Sequence, residues 1–416
     1  MLKKMTAGAA LIAAGNGAYA ASQWFLTVVV ARQFGAEGLG TLALALAITA
    51  PLQALANLAT RHVYVVDKGA PDDFIVLIHT RIFLYGVFLV AIALTALWST
   101  YVAGDVGWIL VAAALLRASE GAADACNAPL NKVGNLSGIA SSSFLRSLAC
   151  TAGFVLGVFV FHEVVLALLF ASTGAFLMVI LHDLPRGAKA AGVRVRALLN
   201  ARISVKPMRE LVRRALPLGF GHALVILQPN IPRYALEMAG GRASLGIFSA
   251  FAVFVAIGNL AVTAINQAIL PSLANALRAH DWKQSRILFW LLAGFSGAIG
   301  AIGLIAALAF GPWLILFIYG PEFAQNDIFF SQMMAFAIVA YLSACVGNLA
   351  TATGQFRGFA LGYGVVTLLS AILSFKLIPA MGISGAILIA ALISLLNGMV
   401  AYGFYRRWRR SLEPLA

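Results

Sequence analysis

The chain has 416 residues, of which 62% are apolar and only 11% charged, with a formal net charge of +14; its mean hydropathy is +0.92. Soluble domains hold about 45–50% apolar and about 25% charged residues, so a soluble enzyme, a coiled coil and a disordered chain are excluded. Long continuous apolar runs, in place of short alternating ones, also exclude a transmembrane barrel and leave an all-α polytopic membrane protein.

The N-terminus comes first. Lys3, Lys4, an apolar stretch and Ala18-Tyr19-Ala20 have the outline of a cleavable signal peptide. The apolar character resumes at once through Trp24 to Val30, so a retained first helix is expected. Apolar windows predict helices over 8–31, 39–58, 75–98, 106–126, 141–161 and 164–182. A second set is predicted over 215–236, 244–264, 287–310, 327–347, 358–376 and 383–404. The expected organisation is thus an N-terminal six-helix bundle (1–182), a basic cytoplasmic linker (183–214) and a C-terminal six-helix bundle (215–416). The longest outer loop is expected at 311–326. Cys126, Cys150 and Cys345 are far apart, which reads as three small buried hydrophobes without metal or disulfide spacing.

Charge sets the orientation. With the N-terminus inside, 22 Lys and Arg fall in cytoplasmic segments, nine of them in 183–214, against three (Arg32, Arg242, Lys376) on the other side. This is the positive-inside pattern, and it accounts for the basic character without nucleic acid. Both termini are expected in the cytoplasm.

The chain also repeats. Gly35-Ala36-Glu37-Gly38-Leu39-Gly40 has a counterpart 206 residues on, in Gly241-Arg242-Ala243-Ser244-Leu245-Gly246. At the same offset Asn57, Thr60 and Arg61 fall on Thr263, Asn266 and Gln267. Six spans is an even number, so the halves are parallel repeats, an arrangement that puts a transporter's substrate site between them.

Several of these segments resemble Wzx-type flippases, polysaccharide transporters of the multidrug/oligosaccharidyl-lipid/polysaccharide exporter superfamily. The resemblance lies in Gly15-Asn16-Gly17, Gln23, the run Ala31 to Gly40 and the run Ala45 to Pro51. It continues in Leu216-Pro217-Leu218-Gly219 and Asn230-Ile231-Pro232-Arg233-Tyr234. It implies a bacterial inner-membrane protein that flips an undecaprenyl-diphosphate-linked oligosaccharide, an O-antigen or exopolysaccharide repeat unit, to the periplasmic leaflet. It further implies a V-shaped cationic cavity between the halves with alternating access. The implied partners are that lipid-linked oligosaccharide, membrane lipids and other polysaccharide-assembly proteins.

Charges inside the spans need a reason, since each costs about 2.5–3.5 kcal/mol at mid-membrane on insertion scales. In the fourth helix Arg117 lies roughly 15 Å below the outer end, with Glu120 and Asp124 following at i+3 and i+7 on the same face. This stripe lines a watery cavity in which Arg117 draws the diphosphate, or it is an Arg117–Glu120 pair that fixes the helix. Glu120 and Asp124 are candidates for coupling to a proton or sodium ion, or for charge balance. Arg146, and Arg81 beside His79, could reach the same cavity or snorkel to the interface. Arg233 lies beside Asn230 between kinks expected at Pro229 and Pro232, near the exit or at the outer interface. Gln23 is expected in the part of the first half that corresponds to Gln228, as a further polar cavity group. The histidines show no metal spacing, and no cofactor is expected.

Two rival functions have different signatures. A multidrug or small-solute exporter of the same superfamily would favour an acidic residue in the first or seventh helix, where only Glu237, at the outer edge, is found. A polysaccharide polymerase or ligase would favour a large outer loop with paired carboxylates or histidines, and 311–326 has neither. A passive assembly subunit does not explain the buried charges.

Overall fold

The computed structural model describes the backbone of residues 2–66, 72–98, 105–201, 204–353 and 359–411. Lys68, Arg202 and Arg357 lie outside the described residues, as do the side chains of Lys3, Lys4 and Asn16. Among the described residues there is no strand. The helices in chain order are α1 (Leu2–Asn57), α2 (Thr60–Val66), α3 (Asp72–Trp98), α4 (Asp105–Lys132), α5 (Leu136–Phe161) and α6 (Val164–Met178). A π turn (Val179–Asp183) leads to α7 (Leu184–Ala191), α8 (Val195–Asn200) and α9 (Val205–Leu227). A 3₁₀ turn (Gln228–Asn230) precedes α10 (Ile231–Arg278), α11 (Trp282–Tyr319), α12 (Pro321–Ala324), α13 (Asp327–Ala352) and α14 (Phe359–Arg410).

Among the described residues nine stretches are long and apolar enough to cross a membrane. Large apolar side chains such as Ile82, Leu97, Ile302, Trp313 and Leu368 face outward, as a chain solvated by lipid requires and a water-solvated one avoids. The protein is a multi-pass membrane protein. Three of the stretches, 17–66, 205–278 and 361–410, have 50, 74 and 50 residues, enough for two crossings at about 20 residues each. Each contains a glycine with a left-handed backbone: Gly35 (φ 67°, ψ −167°), Gly241 (φ 74°, ψ −179°) and Gly382 (φ 56°, ψ −134°). Only glycine adopts such angles without a Cβ penalty, so the helix is interrupted there. Gly35 and Gly241 are the first residues of the repeated hexapeptides.

The described chain divides into two compact units: 1–33 with 41–226, and 34–40 with 227–416. In the first unit, α5 and α6 pack closely because Gly153 and Gly157, four residues apart, present bare backbone to Phe170 and Ala167. Small residues at that spacing are how helices approach in lipid, where dispersion replaces the hydrophobic drive. In the second unit, the aromatic side chains of Phe251, Phe254, Tyr319 and Phe330 interlock across α10, α11 and α13.

Two sequence expectations are corrected here. The basic stretch 183–214 is not a loop but largely helical, and Ala188 and Leu198 are buried against Tyr64, Phe74, Leu77 and Ala128. Its arginines and lysines hide an apolar face that is sufficient to dock it. The connection at 311–326, expected as the longest outer loop, is also shorter than expected, since α11 runs to Tyr319 and α12 begins at Pro321. The three cysteines are free and buried.

Candidate functional site

The first unit encloses a polar cavity of about 500 Å³, lined from α1, α2, α4 and α5. α4 supplies its floor of charge. Arg117 Nη1 donates to Glu120 Oε2 at 3.0 Å, one turn along the helix. Gln53 of α1 donates to the same oxygen at 3.0 Å and to the Arg117 carbonyl at 3.1 Å. The Tyr19 hydroxyl donates to Glu120 Oε1, and the Arg146 guanidinium stands over the Tyr19 ring, 5.5 Å from its centre. Glu120 therefore accepts from three side chains, which is how a carboxylate persists out of water.

One turn further, Asp124 bridges two arginines. Arg61 Nη1 donates to Oδ1 at 2.6 Å and Arg81 Nη2 to Oδ2 at 2.8 Å. Arg61 reaches it because the chain turns sharply between α1 and α2, with Leu58 and Ala59 at φ 44° and 52°. Left-handed backbone at such residues costs roughly 1–3 kcal/mol each and persists only where the surroundings hold it. Here Gly219 of α9 lets the Leu58 backbone pack where any side chain would collide. Four arginines (Arg61, Arg81, Arg117, Arg146) thus gather around two carboxylates.

The sequence-predicted residues separate into two places. Glu120, Asp124 and Arg146 line the cavity. Arg117 acts on it through Glu120, and Arg81 is buried at 3% exposure instead of snorkelling. Gln23 is not among the lining residues; its Nε2 is buried without a hydrogen-bond partner, while the adjacent Ser22 ties α1 to Thr151 of α5. Gln228, Asn230 and Arg233 belong to the second unit. Gln228 donates to the Tyr363 carbonyl (3.0 Å) and Thr367 (3.1 Å) and accepts from Asn397 (2.9 Å), so it is buried and helix-binding. Arg233 Nη1 donates to Asn230 Oδ1 at 3.4 Å, just past the 3₁₀ break at Pro229.

Sequence reasoning missed Tyr19, Gln53, Asn57 and Arg61 as cavity residues. Tyr19 lies inside a signal-like tripeptide, and Arg61 is one of the 22 basic residues that read as cytoplasmic. One signal was available: Asp124 inside a span required a cation, and Arg61 belongs to the polar helix end that repeats in the second half. Among the described residues no cluster of His, Cys, Asp and Glu could hold a metal ion.

No protein-family model matches the chain. In sequence it is similar to the capsular polysaccharide biosynthesis protein CapF of Staphylococcus aureus, 26% identical over 92% of this chain and 95% of that one. In fold it is similar to the lipid II flippase MurJ in an inward closed conformation, with a TM-score of 0.73, 10% identity and coverage of 94% and 86% of the two chains. It is also similar to an outward-facing MATE-family multidrug resistance transporter of the MOP superfamily, with a TM-score of 0.61, 14% identity and coverage of 98% and 96%. The chain has the all-helical membrane fold shared by the transporters and flippases of that superfamily.

Proposed function

We propose that this protein is a flippase that moves an undecaprenyl-diphosphate-linked oligosaccharide across the bacterial inner membrane by alternating access. The observation that carries this reading is the gathering of four arginines around two carboxylates in the first unit. The surplus is positive, and it adjoins a polar space of about 500 Å³. An anion such as a diphosphate is drawn to it, because charge attraction strengthens as water is excluded. Arg146 lines the space and has no ion pair among the described residues. It therefore meets the diphosphate, while Arg117 is a positioning residue that holds Glu120. Arg233, in the second unit, supplies a later and weaker contact on the way out.

The topology follows the charge bias: both termini and 183–214 in the cytoplasm. The nine stretches, three of them broken at Gly35, Gly241 and Gly382, make twelve crossings, six before and six after the 183–214 linker. Glu120 and Asp124 are the candidates for coupling to a proton or sodium gradient. The test is flipping of a polyprenyl-diphosphate oligosaccharide by the purified protein in vesicles. Arg146→Ala should abolish it and Arg146→Lys restore part, since a point charge survives without bidentate geometry. Normal flipping by the Ala variant would overturn the assignment.

Export of an organic cation is the second reading, favoured by Glu120 and Asp124 lining the cavity. Each carboxylate is already held by arginine, so a cation would have to displace a bound guanidinium. Organic-cation efflux that survives Arg146→Ala would select this reading over the first.

A further inference from the structure

Behind the polar cavity lies a second one. It measures about 340 Å³, lies between α3, α4 and α6, and is lined by apolar groups such as Ile82, Leu89, Ala122, Phe176 and Val179. The partition between the two is made by two α3 residues one turn apart. Arg81 lines the apolar crevice while its Nη2 binds Asp124, a lining residue of the polar cavity. Tyr85 does the same, with its ring in the crevice and its hydroxyl donating to Asn57 Oδ1 at 2.9 Å.

Arg81 is 3% exposed, and its Nε and Nη1 have no hydrogen-bond partner. Buried guanidinium N–H groups left unpaired are costly, and an acceptor oxygen at that point would satisfy them. Apart from Arg81, the wall of the crevice is apolar but for the Cys126 thiol and the Tyr85 hydroxyl, which is taken by Asn57, so the rest of such a ligand is hydrocarbon. The crevice runs along α3 from Ile78 to Leu89, about 16 Å at the helical rise.

We infer that the crevice between α3, α4 and α6 seats the chain of a polyprenyl phosphate lipid with its phosphate at Arg81, a seat separate from the contact with Arg146 in the larger cavity. The identity of this lipid rests on the flippase reading above. The site itself rests on the paired cavities and the unsatisfied guanidinium.

The experiment uses the full-length protein in lipid nanodiscs and a diazirine-tagged polyprenyl phosphate, with labelled peptides mapped by mass spectrometry. Label is expected on 82–89 and 118–126. Gly86 lines the crevice, and a Cβ there meets nothing within 4 Å. Gly86→Phe therefore fills the space without a backbone collision and removes a helical glycine, which favours folding. It should cut labelling at least ten-fold, whereas Gly86→Ala should leave it intact. The wild type should also prefer the polyprenyl phosphate over the polyprenyl alcohol about ten-fold, and Arg81→Met should erase that preference. Unchanged labelling in Gly86→Phe, or equal competition by unlabelled phosphatidylglycerol, would overturn the inference. Oligosaccharide flipping in vesicles separates the two claims. Crevice labelling that Gly86→Phe removes, in a protein that flips no lipid-linked oligosaccharide, sinks the flippase reading and upholds the seat. Flipping with the label elsewhere does the reverse.

Discussion

Gly40 packs against the carbonyl of Arg242, and Gly246 packs against the carbonyl of Ala36. Each member of one contact is 206 residues from its counterpart in the other, so the two repeated corners meet reciprocally about a local two-fold. A Cβ at either glycine would overlap backbone that has no rotamer to move. Gly40→Ala or Gly246→Ala should therefore destabilise the protein, by about 1–3 kcal/mol for an overpacked contact. Gly221→Ala, in open space, should be neutral or mildly stabilising. Thermal unfolding in detergent compares the three, and equal Tm values would show that the corner tolerates a side chain.

The Asp124 bridge has a testable asymmetry. Asp124→Asn leaves Arg81 buried without its counter-charge, and breaking one side of a buried pair costs about 3–5 kcal/mol. The double variant Asp124→Asn with Arg81→Met should recover most of that loss, because the fully buried charge is gone and the remaining arginine, Arg61, is a quarter exposed. A Tm for the double variant as low as for the single one would mean that Arg81 is not what Asp124 neutralises. In vesicles, Asp124→Asn also tests coupling: flipping that loses its dependence on an ion gradient supports it, and unchanged dependence reduces Asp124 to a structural partner.

Around Glu120 the prediction concerns function more than stability. Tyr19→Phe keeps the ring under Arg146 but removes a donor to Glu120. Loss of one hydrogen bond to a charged group is worth about 1.5–3 kcal/mol. Flipping should fall by ten-fold or more with protein levels unchanged. Arg117→Ala should be worse, since it frees the carboxylate to oppose an anion. Flipping at the wild-type rate in Tyr19→Phe would remove Tyr19 from the substrate path.

The charge bias predicts the side on which 183–214 lies. A periplasm-active reporter inserted after Ala201 should be silent and a cytoplasm-active one should work. The opposite result would reverse the orientation.

Much of the architecture was legible because hydropathy, charge bias and glycine spacing are local properties. The helix interruptions at Gly35 and Gly241 follow from a hexapeptide visible at a fixed offset. The charged face of α4 was legible as well, since i, i+3 and i+7 are fixed by helical geometry. The helices of 183–200 were not, because nine basic residues in 183–214 outweighed the few apolar ones that dock. Nor were the partners of Asp124, which are Arg61 and Arg81 from α2 and α3.

By itself, then, the sequence determined that this chain lives in a membrane as helices, where it is basic, and that a glycine-led hexapeptide recurs 206 residues on. The first two depend only on the transfer free energy of a side chain, and the third on the order of residues alone. Only the tertiary structure decided which arginines neutralise Asp124, that Tyr19 and Gln53 hold Glu120, and that Arg81 and Tyr85 divide a polar cavity from an apolar crevice. Those outcomes depend on the distance between charges carried by different helices. In a low-dielectric interior a few ångströms separate a satisfied ion pair from a stranded charge, and no spacing along the chain encodes that distance.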